Sequence, residues 1–211
     1  MSSQLILPLE PRNAMTRADF IEAPGNARAL AYLERWPDWS APAAALWGPG
    51  ASGKTHLAHI WASQADAVVA DARTLREPLA GPAVVENCDS AESPDHEPAL
   101  FAMLERGTPL LLTGHTAPAM WRAWLPDLAS RFGALVAFEL GQADEGLLMA
   151  LAVKLFADRQ VTVPEAVVTG LLRGLERSPA AVRDFIARAD REALSRQKPI
   201  NLQLIRELMA E

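Results

Sequence analysis

Cysteine is nearly absent from this chain, in which Cys88 is the single cysteine among 211 residues. One thiol excludes an internal disulfide framework and a metal site built from several cysteines. Histidine is also scarce, and the four histidines show no spacing typical of a metal site. The six tryptophans are interpreted as packing residues rather than as platforms for stacked bases.

Long apolar runs and an excess of positive charge are missing as well. No apolar stretch approaches the length of a membrane-spanning helix, and the N-terminus has no basic region followed by an apolar segment. The net charge of -6 argues against a broad basic surface that grips nucleic acid. With 211 residues, the chain can form one ordinary domain and a small satellite. Half of the residues are hydrophobic, as expected for a globular core. The simplest expectation is a cytoplasmic protein that does not associate with membranes.

The strongest motif is a glycine-rich octapeptide that fits the pattern G-x-x-x-x-G-K-[ST] of phosphate-binding loops (P-loops). Its residues are Gly48, Pro49, Gly50, Ala51, Ser52, Gly53, Lys54 and Thr55. Glycines let the backbone fold tightly around an anion with its N–H groups pointing inward. The Lys54 ammonium can approach the β- and γ-phosphates, and the Thr55 hydroxyl can ligate Mg²⁺. We therefore predict a nucleotide-phosphate site here, and a Gly-rich surface turn is the weaker interpretation.

Short apolar runs separated by helical stretches predict an α/β fold with a parallel sheet buried on both faces. The predicted strands cover residues 43–47, 67–70, 83–86, 110–113 and 135–138. Helices are predicted over residues 26–35, 54–63 and 97–106, and then over 147–159, 165–175, 180–195 and 202–209. The sequence thus predicts an N-terminal tail (1–16), an α/β nucleotide-binding domain (17–141) and a small all-α lid domain (142–211).

An acid at the end of a second strand is needed by a P-loop ATPase to hold Mg²⁺, usually beside another acid that polarises the attacking water. Glu86 ends the predicted strand over 83–86 and is the candidate acid. Asn87 occupies the position of the usual base, although an amide cannot accept a proton at neutral pH, and Asp89 is a possible substitute. The site is therefore predicted to bind nucleotide but to hydrolyse it poorly. The alternative is that Glu86 only caps a strand.

Three further polar residues could act at a nucleotide, although spacing alone makes each a weak signal. Thr113 ends a predicted strand and fits a polar sensor of the γ-phosphate. Arg131 precedes the last strand, from where its guanidinium could reach the nucleotide of a neighbouring subunit. Arg183, early in the third lid helix, could reach back to the phosphates. A solvated surface position is the alternative interpretation for both arginines.

The N-terminal tail contains an unusually apolar hexapeptide. Its residues are Gln4, Leu5, Ile6, Leu7, Pro8 and Leu9. Apolar residues in a flexible segment lower solubility unless something covers them. The hexapeptide either packs as an edge strand on the body or docks in a groove of a partner, and the residues alone leave both open.

Taken together, these residues resemble the DnaA-related AAA+ proteins, specifically regulators of the Hda type, over nearly the whole chain. The P-loop matches at every defining position. Phe20, Ile21 and Asn26 lie in a segment similar to the family's adenine pocket. Arg131 falls on the family's arginine finger, and Arg183 falls on its sensor-2 arginine.

Residues 4–9 are similar to the hexapeptide by which such regulators bind the sliding clamp, the beta subunit of DNA polymerase III. The resemblance implies a clamp-bound regulator that stimulates hydrolysis of DnaA-bound ATP and so prevents re-initiation of chromosome replication. It also implies ADP or ATP with Mg²⁺ as cofactors. The lid is not followed by a basic helix-turn-helix domain, so direct sequence-specific DNA binding is not expected. A homodimer is left open.

Two other classes of protein share the P-loop. A helicase-loader-type ATPase would favour a basic surface that tracks DNA and real turnover, which the charge of -6 and Asn87 disfavour. A small-molecule kinase would need an acceptor base and an arginine-rich lid. The lid has Arg173, Arg177 and Arg183, but the sequence offers no evident acceptor base.

Overall fold

The computed structural model describes residues 15–90 and 92–210. Its centre is a five-stranded sheet. The strands are β1 (Ala43–Trp47), β2 (Val68–Asp71), β3 (Ala83–Glu86), β4 (Leu110–Gly114) and β5 (Val136–Glu139). They lie in the order β2-β3-β4-β1-β5, and every pair is parallel. The predicted α/β class with a parallel sheet is confirmed, and each strand lies within about one residue of its predicted bounds.

Helices cover both faces of this sheet. They are α1 (Ala27–Leu33), α2 (Lys54–Ala65), α3 (Glu97–Glu105) and α4 (Pro126–Gly133). Leu46 and Leu111 of the sheet pack with α1 and α2 on one face, whereas Leu110 and Leu112 pack with α3 and α4 on the other. The inner strands are continuously apolar because both of their faces are buried in this way.

The two edge strands correct one part of the sequence prediction. Val68 and Val69 of β2 are 49% and 38% exposed, and exposed residues alternate with half-buried ones along β5. Burial on both faces was predicted for the whole sheet, but it holds only for β1, β3 and β4. An apolar run alone does not reveal whether a strand lies at the centre or at the edge of its sheet.

Four helices follow the sheet and form a second apolar core. They are α5 (Glu145–Ala157), α6 (Glu165–Gly174), α7 (Pro179–Ser195) and α8 (Leu202–Ala210). The Asp144 carboxylate accepts a hydrogen bond from the Leu147 N–H at 2.7 Å and caps α5, and the Ser178 hydroxyl accepts one from Ala181 N–H at 3.1 Å and caps α7. The predicted all-α region is confirmed, while the domain boundaries after residues 16 and 141 stay predictions.

The strand order determines where a ligand can be held. β1 lies between β4 and β5, so its carboxyl end meets the carboxyl ends of strands that come much later in the chain. Ligands of open α/β sheets bind outside this edge of the sheet. Within the two described ranges, no helix is both long and apolar enough to cross a membrane.

Candidate nucleotide site

The P-loop connects the end of β1 to the start of α2, as the motif predicted. Gly48 and Gly53 have φ values of 145° and 96°, and Ala51 has a φ of 57°. A Cβ on Gly48 would lie 2.1 Å from the Leu140 carbonyl oxygen. Only glycine fits at this position, because the loop starts in direct backbone contact with the segment that follows β5.

The Lys54 side chain lies against the loop that precedes it. Its ammonium donates hydrogen bonds to the carbonyl oxygens of Gly48 and Pro49, at 2.8 and 2.7 Å. Burial lowers the pKa of Lys54, while the carboxylates of Asp89 and Glu86 act in the opposite direction. A lysine held at the mouth of the loop by its own carbonyls is close to any phosphate bound there, and a phosphate would compete with those carbonyls for its protons.

A cavity of about 190 Å³ lies beside the loop. Its walls come from three parts of the chain. The lining residues are Met15, Asp19, Phe20, Ile21, Asn26, Ala51, Ser52, Gly53, Lys54, Thr55, His56, Leu147, Leu151, Pro179, Ala180 and Arg183. The structure therefore brings the predicted adenine-pocket segment, the carboxyl end of the P-loop and the predicted lid arginine to one cavity.

The predicted adenine segment is held by a single asparagine side chain. The Asn26 amide oxygen accepts a hydrogen bond from the Ala23 N–H at 2.9 Å, and its N–H donates to the Ile21 carbonyl at 3.1 Å. The Phe20 ring contacts the His56 ring edge to face, with centroids 5.1 Å apart. Asn26 thus acts on the shape of the segment, while Phe20 and Ile21 supply the apolar wall that a flat heterocyclic base would contact.

His56 was considered in the sequence only as a metal ligand, and the structure gives it a different environment. The ring is 8% exposed, and burial lowers its pKa. Nε2 lies 2.9 Å from the Thr16 carbonyl oxygen, and Nδ1 lies 3.5 Å from a terminal guanidinium nitrogen of Arg183. No local sequence pattern indicates this arrangement, because Thr16, His56 and Arg183 are far apart in the chain.

Glu86 and Thr113 end neighbouring strands at the same edge of the sheet as the loop. Oε1 of Glu86 is buried and has no hydrogen-bond partner. An unpartnered buried carboxylate oxygen is costly unless a donor or a cation binds it. This orphaned oxygen and the Thr55 hydroxyl on the pocket wall fit the oxygen ligands that Mg²⁺ prefers, with nucleotide phosphates and water completing the shell.

Asn87 and its neighbours form a hydrogen-bonded group at the end of β3. Asn87 has a φ of 59°, and its amide donates to the Asp71 carboxylate at 2.7 Å. The Thr113 hydroxyl oxygen accepts a long hydrogen bond from the Asn87 N–H at 3.3 Å. Asp89, the possible substitute, accepts from the N–H groups of His115 and Thr116 and is committed to that turn. Among the described residues, no group of three or more His, Cys, Asp or Glu side chains could hold a metal ion by itself.

Arg131 lies on α4 and is not one of the residues that line the cavity. Its side chain is 40% exposed, forms an ion pair with Glu105 of α3, and lies over the Phe101 ring with the guanidinium carbon 5.1 Å from the ring centroid. Glu86, Asn87 and Thr113 are likewise not among the residues that line the cavity. The apolar hexapeptide over residues 4–9 lies outside the described residues.

Comparisons by sequence find no similar protein: no protein-family model matches the chain, and no curated protein does. Solved structures are similar in fold. Domain III of the replication initiation protein DnaA from Thermotoga maritima superposes with a TM-score of 0.75 at 18% identity, over 96% of this chain and 97% of that one. A variant of RuvB from Thermotoga maritima has a TM-score of 0.71 at 19% identity, over 93% of this chain and 71% of that one.

A third solved structure includes a bound nucleotide analogue. AMPPCP-bound DnaA from Aquifex aeolicus has a TM-score of 0.64 at 14% identity, over 81% of this chain and 63% of that one. At these identities the comparisons establish the fold alone. In fold, the five-stranded parallel sheet and the helical region after it match the core and lid of AAA+ proteins.

Proposed function

We propose that this protein binds ADP or ATP with Mg²⁺ in the cavity beside the P-loop. Backbone N–H groups of residues 50–55 and the Lys54 ammonium would hold the phosphates. Thr55 and Glu86 would hold Mg²⁺. A nucleotide analogue bound to a DnaA of the same fold supports this assignment, as does the unpartnered carboxylate oxygen of Glu86.

Within this site, hydrolysis by the chain itself would be slow. An acid beside Glu86 would polarise the attacking water in an ATPase of this kind. Here the side chain is the Asn87 amide, which donates its N–H to Asp71 and has no basic lone pair. The bound nucleotide would therefore persist and act on the shape of the protein.

We infer that Arg131 acts on the nucleotide of another protein. The observation that carries the proposal is the position of Arg131 on α4, away from the residues that line the cavity. The Arg131 side chain is 40% exposed on α4 and does not line the cavity of its own chain, which supports a role at a partner surface. Held near a partner's γ-phosphate, it would neutralise charge as water attacks phosphorus and the bond to the β-phosphate oxygen breaks, giving ADP and inorganic phosphate. By the resemblance of the sequence, the partner would be ATP-bound DnaA, and the chain would act as an Hda-type regulator.

The proposal also includes the hexapeptide of residues 4–9. An apolar peptide docked in a groove of the sliding clamp would hold the protein on DNA without a basic surface of its own. Attachment through the clamp agrees with the net charge of -6, which does not favour direct binding to nucleic acid.

The test is a single-turnover assay of ATP hydrolysis on DnaA in the presence of DNA-loaded clamp. The wild-type chain should accelerate hydrolysis, and Arg131→Ala should lose nearly all of the acceleration, since an arginine supplied in trans is worth about a thousandfold or more. Arg122→Ala is the matched control, because Arg122 is also an exposed arginine and lies just before α4. A chain without residues 2–9 should lose the acceleration in this assay, because it could no longer bind the clamp.

Two results would contradict the regulator proposal. Full acceleration by Arg131→Ala would remove the arginine from the mechanism. No acceleration by the wild-type chain, together with hydrolysis of ATP by the chain alone on single-stranded DNA, would favour the helicase-loader type instead.

A further inference from the structure

His56 lies in the first turn of α2, directly after the predicted Mg²⁺ ligand Thr55. Its imidazole is enclosed by three contacts that come from different parts of the chain. The Thr16 carbonyl lies at Nε2, the Phe20 ring packs edge to face against it, and the Arg183 guanidinium lies at Nδ1. His56 thus contacts the segment before α1 and the lid from its place on the P-loop helix.

The partners of the ring determine its tautomer. A backbone carbonyl can only accept a hydrogen bond, so Nε2 must carry the proton that is donated to Thr16. A guanidinium can only donate, so Nδ1 must offer its lone pair to Arg183. The ring is therefore neutral and faces the lid with an acceptor.

Arg183 lies on α7 and is half-buried, and this burial lowers its pKa. Its contact with His56 places the guanidinium beside the first turn of α2. The N-terminus of this helix is the end where backbone N–H groups attract an anion. A lid arginine held at this point can meet a phosphate, whereas one pointing into solvent would first have to lose side-chain freedom.

A second contact joins the same segment to the lid. The Asp19 carboxylate accepts from the Lys154 ammonium of α5 at 3.3 Å, and it also accepts a hydrogen bond from the Thr16 hydroxyl at 2.5 Å. The stretch from Thr16 to Asp19 thus contacts α5 through a charge and α7 through the His56 ring. The lid is attached at both contacts to the part of the chain that follows residues 4–9.

We propose that His56 is a positioning residue for the nucleotide site: oriented by the Thr16 carbonyl, it holds Arg183 toward the phosphates. This inference rests on the proposed nucleotide site and adds a residue to it. The consequence is a physical link from the N-terminal segment, through one ring, to the arginine that closes over the bound nucleotide.

Two amide substitutions separate the two sides of the ring. In His56→Asn the amide oxygen lies near the former position of Nδ1 and can still accept from Arg183. In His56→Gln the amide N–H lies near the former position of Nε2 and keeps the bond to Thr16, while the acceptor for Arg183 is lost. His59→Gln is the matched control, since His59 lies one turn further along α2 and is not part of the cavity wall.

The measurement is the dissociation constant of a fluorescent ADP analogue with Mg²⁺, for each variant of the full chain. His56→Gln should weaken binding by about fivefold, the factor expected for one hydrogen bond. His56→Asn, which keeps the acceptor for Arg183 but loses the bond to Thr16, should weaken binding less than His56→Gln, and His59→Gln should remain within about twofold of the wild-type chain. In an Arg183→Ala background, which should itself bind roughly tenfold more weakly or worse, His56→Gln should have no further effect.

The double-variant comparison distinguishes positioning from a loss of structure. Equal weakening by the Asn and Gln variants would overturn the inference, and so would a full effect of His56→Gln in the Arg183→Ala background. Wild-type binding with no change in His56→Gln overturns the positioning role but leaves the nucleotide site intact. No binding by the wild-type chain removes the proposed nucleotide function and this inference with it.

Discussion

At the scale of single residues, the candidate site depends on backbone conformations that few residue types adopt. Gly48 combines a φ of 145° with a contact to the Leu140 carbonyl that leaves no room for a Cβ. Gly50 belongs to the same loop, but a Cβ there would meet nothing within 4 Å. The motif requires glycine at position 48 but not at position 50, and the structure agrees with this difference.

We expect Gly48→Ala to lower the free energy of unfolding by at least about 2 kcal/mol, because strained backbone and a steric clash add at this position. Gly50→Ala, the matched control, should change it by less than about 1 kcal/mol. Urea denaturation of both variants measures the difference. Equal stability of the two would mean that the contact with Leu140 does not constrain the loop.

Asp71 shows a second constraint that the sequence does not reveal. Its carboxylate binds the Arg73 side chain and the Asn87 amide, and the hydrogen bond from Arg73 is the main reason that the pKa of Asp71 falls from 3.8 to about 2. Through its bond to Asn87, Asp71 also holds the loop that follows β3.

We expect Asp71→Asn to be less stable than the wild-type chain at pH 7 by about 1 kcal/mol, the upper end for an ion pair open to solvent. Since the folded-state pKa lies below the ordinary value of 3.8, the ionised carboxylate stabilises the fold above pH 3.8. This advantage should shrink as the pH falls from 3.8 towards 2. Denaturation at pH 7, 5 and 3 tests the sign: a gap that widens toward acid would contradict it.

Some residues of the candidate site could be predicted from a local motif, whereas others depend on contacts between distant parts of the chain. Lys54 and Thr55 were found because their spacing within one motif is set by the phosphate they would bind. His56 follows them directly, but its role depends on Thr16 and Arg183, which only the folded chain brings near. A contact between distant residues leaves no local pattern.

At the scale of elements, α3 positions α4 at both of its ends. The Glu97 carboxylate, 1% exposed, accepts hydrogen bonds from the N–H groups of Trp124 and Leu125 just before α4, both at 2.8 Å. At the other end of α3, Glu105 pairs with Arg131. One buried and one exposed acid thus fix the helix that bears the proposed finger.

We expect Glu97→Ala to lower the free energy of unfolding by roughly 2–4 kcal/mol, since it leaves the N–H groups of Trp124 and Leu125 without their partner and removes a negative charge from a helix N-terminus. Glu105→Ala, an acid of the same helix with an exposed partner, should cost less than about 1 kcal/mol. Thermal and urea unfolding compare the two. A cost of Glu97→Ala no larger than that of Glu105→Ala would show that the buried carboxylate does not hold α4.

The sequence predicted most helices but not α4. The prediction worked for α2, α3 and the four lid helices, because their apolar residues recur at helical spacing over nine or more residues. α4 has eight residues and begins with Pro126, and its buried residues are Leu128 and Phe132. Two apolar positions in two turns are too few to distinguish a helix from a loop.

At the scale of the whole molecule, the class of fold could be predicted and the strand order could not. Apolar runs, glycine-rich turns and intervening helices indicate a parallel sheet, but they do not say which strands are neighbours. The position of β1 between β4 and β5 appears only in the structure. The order matters for function, because it brings the P-loop beside the ends of β3 and β4, where Glu86 and Thr113 lie.

The same strand order has a consequence for synthesis on the ribosome. Ala43 of β1 pairs with Leu110, Ala44 pairs with Val136, and Gly48 contacts Leu140, so the strand that leads into the P-loop gains both neighbours only after most of the chain has been made. Contacts between residues so distant in sequence form late in folding. The P-loop is thus synthesised early, but a nascent chain that ends before β5 lacks both the strand that Ala44 pairs with and the Leu140 carbonyl that Gly48 contacts.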